Sequence, residues 1–194
     1  MKLEEIANVS IGILVHRESV ENGKYQYKIF NLNNYEENQE YQAIETDKDF
    51  SDKMTQKGDL LFRLVAPNKI ILVKEKEEDL LVPSQLCIIR PDKNKINSRF
   101  LKWYLESQQG KAQIATEQIG SSIQKISIAS LKKIEIPEID IDKQEKIKDL
   151  IEVWENEKKV MQDIIETKEM IYENKKDFYI NNYNCKYSHF NNYT

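Results

Sequence analysis

Residues 138–194 contain neither glycine nor proline, the two residues that most readily end a helix. Entered through Ile136-Pro137-Glu138-Ile139-Asp140-Ile141-Asp142-Lys143-Gln144, most of this stretch reads as one amphipathic helix from about Lys143 to Phe178. At ~1.5 Å per residue that helix would be roughly 54 Å long, against about 37 Å across for a compact domain built from the residues before it. Part of such a helix must pack on something outside its own domain. The chain is therefore expected to act within a complex.

The residues ahead of the helix alternate between strand and helix signals. Leu3 to Val9 has helical spacing and stops before Gly12, with Ile13-Leu14-Val15 as a first strand. Gly23 to Phe30 alternates with a period of two, which predicts a strand, and a short strand near Tyr41 to Ile44 interrupts a polar loop over 35–54. Lys57-Gly58-Asp59 leads into Leu60–Val65, and Ala66-Pro67-Asn68-Lys69 turns it back through Ile70–Val73, a hairpin. A charged loop, Lys74 to Asp79, precedes Leu80–Pro91, where Pro83 predicts an edge or bulge. Asn97 or Ser98 caps a helix over Arg99–Gln109 that Gly110 interrupts, and Gly120 opens a polar loop anchored by Ile123 and Ile126. Ser127 or Ser130 begins a short turn, Lys133–Pro137 reads as a last strand, and Asp142-Lys143-Gln144-Glu145 has the form of a capping box. The pattern is α+β: one mixed α/β domain over residues 1–140, a long helix over 141–178 forming an antiparallel coiled coil with a partner, and a polar tail over 179–194.

Cys87 lies in an apolar run and reads as a buried free thiol, while Cys185 sits in the polar tail; the pair suggests neither a disulfide framework nor a zinc site. The acidic start, Met1-Lys2-Leu3-Glu4-Glu5, has no apolar signal core and no run of 18 apolar residues exists, so a soluble, cytoplasmic chain without membrane contact is expected. Net charge is −4, which by itself disfavours nucleic acid, but the charge is unevenly placed. Residues 53–133 hold 15 Lys+Arg against 8 Asp+Glu, whereas residues 1–52 hold 5 against 11 and residues 134–194 hold 9 against 14. A basic middle between acidic flanks suits a local phosphate-binding surface, and it suits an ordinary solvated surface as well.

Enzyme signatures are missing. No Asn-Pro-Pro-Tyr or Asp-Pro-Pro-Tyr segment is present for flipping and methylating an amino group, and no glycine-rich turn follows a strand to hold S-adenosylmethionine or a nucleotide. Glu157-Lys158-Lys159, Glu166-Thr167-Lys168 and Glu173-Asn174-Lys175 match a nuclease fragment in form, but on a helix with no upstream Pro-Asp they read as surface charges. His16 and His189 are the only histidines and have no acid or nucleophile beside them. Asp59, after Gly58, reads as a turn aspartate rather than a metal ligand.

The ordered set Leu3-Glu4-Glu5-Ile6, Lys57-Gly58-Asp59-Leu60-Leu61, Val82-Pro83-Ser84, Arg99-Phe100-Leu101-Lys102-Trp103-Tyr104-Leu105, Gly120-Ser121-Ser122-Ile123-Gln124-Lys125-Ile126 and Ile136-Pro137 through Gln144-Glu145-Lys146-Ile147 resembles the target-recognition domain of type I restriction-modification specificity subunits. The resemblance spans the chain to about Phe178 and rests on the order and spacing of the segments together. Where family members often carry proline, proline and glutamate at the helix entry, Ile139, Asp140 and Lys143 stand here. A full specificity subunit has two such domains joined by two long helices, so this chain resembles half of one. The resemblance implies a protein that reads double-stranded DNA and has no catalytic activity or cofactor of its own. It also implies partners: a methyltransferase subunit that carries S-adenosylmethionine and, for cleavage, a translocating endonuclease subunit.

Reading DNA takes cations for phosphates and arginine or short polar side chains for base edges. The candidates are His16 and Arg17 after the first strand, Arg63 and Lys69 around the hairpin turn, Arg99 and Lys102 on the middle helix, and Ser121, Ser122, Gln124 and Lys125 in the Gly120 loop. Gln124 has the geometry to pair bidentately with adenine, and arginine with guanine. For each of them, a solvated side chain is the alternative reading.

On the long helix, Ile147, Leu150, Trp154, Met161, Ile164, Ile171 and Phe178 recur at steps built from three and four residues, with Ile151 and Ile165 broadening the stripe and Glu157, Lys168 and Lys175 interrupting it. At about 1.5–3 kcal/mol per large apolar side chain, six exposed positions would forfeit roughly 9–18 kcal/mol, comparable to a domain's whole stability. The first two turns are expected to fold back on the domain, and the part beyond Met161 to pair with a second copy or the matching helix of another half-subunit. A coiled-coil adaptor or antagonist that occupies the specificity-subunit position without reading DNA is the alternative.

Overall fold

A computed structural model describes residues 1–32, 41–120 and 122–188, with side chains to Ile180. The chain divides into two compact units, Met1–Lys148 and Asp149–Thr194. The boundary falls eight residues after the expected one because the start of the long helix belongs to the first unit.

The first unit is built on a four-stranded antiparallel sheet in the order β1-β6-β4-β5. Its strands are β1 (Ala7–Ile11), β4 (Leu60–Arg63), β5 (Ile70–Leu72) and β6 (Leu86–Pro91), and β2 (Tyr25–Lys28) with β3 (Ala43–Thr46) make a separate two-stranded sheet. Strands β4 and β6 are continuous apolar runs rather than alternating ones because the sheet is covered on both faces. On one face Val9, Leu60, Phe62, Ile70, Cys87 and Ile89 join Leu3, Phe100, Leu101, Leu105, Ile114 and Leu131 of the helices. On the other, Leu61, Ile71, Leu86 and Ile88 pack with Phe30, Leu80 and Val82. Leu81 faces away from that layer into a third cluster with Ile13, Tyr27, Ile29 and Ile44, under the small sheet.

Helices α1 (Leu3–Ile6), α2 (Val15–Glu18), α3 (Ser98–Glu106), α4 (Gln108–Thr116), α5 (Ile128–Lys132) and α6 (Ile141–Ser188), with short 3-10 turns at Ser51–Lys53 and Glu75–Glu77, are the remaining elements of the described residues. Asn97 caps α3, its side-chain oxygen accepting from the Arg99 and Phe100 amides at 2.9 and 3.2 Å. Ser127 caps α5 in the same manner, through the Ser130 amide at 3.0 Å.

Several boundaries differ from expectation. The helix from Leu3 stops at Ile6, and the first strand is Ala7–Ile11 rather than Ile13–Val15. Ala7 and Val9 already alternate inward, and the register Ala7↔Pro91 to Ile11↔Cys87 satisfies their backbone. Val15 is instead the first residue of α2. Strand β6 is interior, not an edge; Pro83 precedes it, and the proline it does contain, Pro91, is its last residue, opposite Ala7. Gly110 does not interrupt a helix. The break is at Ser107, and Gly110 lies inside α4, where a Cβ would come 2.3 Å from the Tyr104 carbonyl oxygen. Residues 133–137 form no strand, only a single bridge between Glu135 and Lys2, although Ile134 and Ile136 are buried as alternation required.

Helix α6 begins at Ile141, so Asp140 rather than Asp142 precedes its first turn, and the backbone stays helical to Ser188, ten residues beyond Phe178. Its start is fastened to the domain by Gln144, 1 % exposed. The Gln144 amide accepts from the Asn97 N–H at 2.9 Å and donates to the carbonyls of Ile139 and Lys95 at 2.7 and 3.3 Å. Ile147 packs on the domain's own core, which removes it from the set offered to a partner. Ile151 is also buried, and from residue 152 to residue 180 every side chain is exposed.

Candidate nucleic-acid interface

The register of the sheet decides which loops meet. β1 ends at Ile11 opposite Cys87, β6 starts at Leu86 opposite Arg63, and β4 ends at Arg63 beside the start of β5 at Ile70. The loops that leave these strand ends therefore gather at one end of the sheet. The segment after β1 bridges Ile13 to Pro83, with the Ser84 amide donating to the Ile13 carbonyl at 2.7 Å, and α2 with His16 and Arg17 exposed follows at once. The β4–β5 turn carries Arg63, Asn68 and Lys69, and the Asn68 side chain donates to the Arg63 carbonyl at 2.9 Å.

The loop opened by Gly120 is stitched to the same end. Val65 bridges Lys125, the Ala66 amide donates to the Gln124 carbonyl at 3.0 Å, and the Ile126 amide donates to the Leu64 carbonyl at 3.0 Å. Ile119 and Lys125 close the loop with a reciprocal pair of backbone bonds at 2.9 and 3.0 Å. Gly120 has φ +123°, and a Cβ there would lie 2.2 Å from the Ile123 carbonyl oxygen, so both the backbone angle and the space call for glycine. Ser122, Gln124 and Lys125 are exposed on this loop, and Ser121 lies outside the described residues.

Seven of the ten residues singled out from the sequence thus share one end of the sheet: His16, Arg17, Arg63, Lys69, Ser122, Gln124 and Lys125. Two do not join them. Arg99 opens α3 at the opposite end, in a groove of about 810 Å³ that it lines with Leu72, Ile96, Ile141, Glu145 and Lys148. There the Glu145 carboxyl is held below its usual range, first by Lys148 at 2.5 Å and then by the Asn97 side chain. Lys102 is tied one turn along α3 to Glu106 at 2.6 Å, a helix-surface ion pair.

Two neighbours of the cluster carry little signal in the sequence. Asn68 read only as a turn residue and Gln118 had no pattern around it, yet the Gln118 amide donates to Asn68 Oδ1 at 2.6 Å and links the hairpin turn to the Gly120 loop. Ile123, expected as an anchor, is 69 % exposed, and Ile119 is 75 % exposed; the anchor is Ile126, fully buried.

Other polar groups serve the fold. Asp59 is buried and paired bidentately with Arg90, whose Nε and Nη2 each donate at 2.8 Å. The Asp59 hydrogen bond raises the Arg90 pKa above its ordinary value, and the carboxylate also accepts from the Gln56 amide at 2.9 Å. The Cys87 thiol is pushed up to about 12 by burial, which makes it an inert core side chain. Among the described residues no group of three or more His, Cys, Asp or Glu could hold a metal ion. Among them, too, no helix is long and apolar enough to cross a membrane.

No protein-family model matches the chain, and no curated protein matches it by sequence. Solved structures do. The S subunit of the type I restriction-modification system from M. genitalium aligns over 80% of this chain and 38% of its own, with 18% identity and a TM-score of 0.54. A chain from a structure of the complex assembly and conformational transition of the type I R-M system aligns over 84% and 43%, with 15% identity and a TM-score of 0.63. The HsdS subunit from Thermoanaerobacter tengcongensis aligns over 82% and 43%, with 17% identity and a TM-score of 0.60. The fold is that of type I S subunits, and the chain spans about two fifths of the length of those it matches.

Proposed function

We propose that this chain is a non-catalytic DNA-recognition half of a type I specificity assembly, acting in the cytoplasm. The loop end of the sheet reads one half-site of double-stranded DNA. Arg17, Arg63, Lys69 and Lys125 neutralise phosphates or reach guanine, and Gln124 and Ser122 address base edges. The observation that carries this reading is the strand register, which draws cations and short polar side chains from three separate segments to a single end of the sheet.

Helix α6 supplies the second part. Its exposed stripe, Leu150, Trp154, Met161, Ile164, Ile165 and Ile171, pairs with another long helix, either of a second copy or of a different recognition half. Two recognition domains joined in this way would address a bipartite site, with protein symmetry mirrored in the half-sites when the two copies are identical. Methyltransferase subunits bind alongside, flip adenines and supply S-adenosylmethionine chemistry, while a translocating endonuclease subunit joins where the system cleaves.

The test is to affinity-purify the tagged chain from its own cells with whatever it assembles with, and to map methylated adenines in cells with and without it. Loss of one methylated bipartite motif is the expected result. Retention of every motif, with the assembly intact, would favour the adaptor or antagonist instead.

A further inference from the structure

Ile119 and Ile123 are the two large apolar side chains of the Gly120 loop that face water, 75 % and 69 % exposed. Their exposure is built in rather than incidental. The Ile119–Lys125 backbone pair closes the loop, the Gln124 carbonyl fastens it to Ala66, and Gly120 passes so close to the Ile123 carbonyl that no side chain fits between them. A loop held this way cannot turn both isoleucines inward, and Ile126 already fills the core position beneath. Cations share this end of the sheet, with Lys125 inside the closing pair and Arg63 and Lys69 on the hairpin that Val65 bridges to it. An apolar tip at a basic end of the sheet suits a polyanion that presents methyl groups between its charges. Duplex DNA is such a ligand: the major groove displays the thymine C5 methyl beside the adenine edge that a glutamine reads.

Resting on the DNA-reading proposal above, we infer that Ile119 and Ile123 are specificity residues that cover thymine methyl groups in the major groove while Gln124 pairs with an adjacent adenine, making the half-site read by this loop rich in A·T pairs. The isoleucines add affinity through methyl burial, which is insensitive to salt, whereas the cations at this end of the sheet add the salt-dependent part.

The experiment uses the full chain in its purified complex and a random-sequence duplex library. The selected duplex is then remade with deoxyuridine in place of thymidine, which deletes only the C5 methyl. The wild type is expected to bind the uridine duplex roughly fourfold more weakly per methyl removed, the factor given by burying one methylene-sized group. I119A and I123A, at exposed positions that leave the fold intact, are expected to bind the thymidine duplex more weakly and to lose the distinction between the two duplexes. Equal binding of both duplexes by the wild type, with sequence selection and salt dependence preserved, overturns the inference and leaves the reader standing. Absence of any sequence selection overturns both. Loss of complex assembly in the isoleucine variants, with thymine preference unchanged, would assign the tip to a protein partner and overturn the inference as well.

Discussion

The domain over residues 1–148 and the helix beyond it use apolar residues in opposite ways. In the domain, both faces of one sheet are buried, and even its polar interior is matched: Asp59 by Arg90, Gln144 by three backbone groups, Thr55 by the Glu77 carbonyl at 2.5 Å. Beyond Ile151 the chain carries a comparable stripe with no core of its own, Trp154 at 57 % and Met161 at 56 % exposed. The domain buries its apolar residues within its own fold, whereas the helix from residue 152 to residue 180 leaves its apolar stripe exposed. On the proposed function, that contrast divides reading and assembly between two parts of a single chain.

The contrast breaks most visibly in the core. Phe100, fully buried beneath the sheet, should cost about 3–5 kcal/mol when replaced by alanine, seen as a lower urea midpoint. Asp59→Ala leaves a partly buried guanidinium without its carboxylate and should cost about 3 kcal/mol in the same assay. An Asp59→Ala variant as stable as wild type would mean that the pair only orients the Gly58 turn. Gln144→Ala, which strands the Asn97 amide and two carbonyls, should cost about 2 kcal/mol. A negligible cost there would show that the helix start is held by Ile139 and Ile147 alone. The smallest effect on domain stability is expected from Trp154→Glu or Met161→Glu, within about 0.5 kcal/mol of wild type, while the mass measured by light scattering falls to that of a monomer. Truncation after Lys159 should likewise leave a monomeric, folded domain.

The sequence carried the hairpin Leu60–Leu72 and the long helix plainly, because each rests on local rules, an apolar run meeting a turn and the absence of breakers; it narrowed the caps to Asn97 or Ser98 and Ser127 or Ser130, and the structure decides for Asn97 and Ser127. It misplaced the first strand, since Leu3 and Ile6 fit a helix while Ala7 and Val9 fit a strand, and only pairing with β6 decides where one yields to the other. Arg99 illustrates the limit for the site. It is an arginine like Arg63, yet Arg63 ends β4 and Arg99 lies on the helix that follows the far end of the antiparallel β6, so the sheet topology places the two at opposite ends, and topology is a long-range property that local spacing does not encode. Ile123 was misassigned for a related reason, because Ile126 three residues later takes the core position and one tight loop cannot bury both.

The most direct measurement of the central claim is the salt dependence of DNA binding by the purified complex, compared between the two ends of the sheet. Combined alanine substitution of Arg17, Arg63, Lys69 and Lys125 should lower the slope of log K against log salt by roughly one for each phosphate no longer neutralised, and should abolish motif methylation. Arg99→Ala, at the far end, should leave both unchanged. The account would be contradicted if the quadruple variant bound DNA as the wild type does while Arg99→Ala alone weakened it.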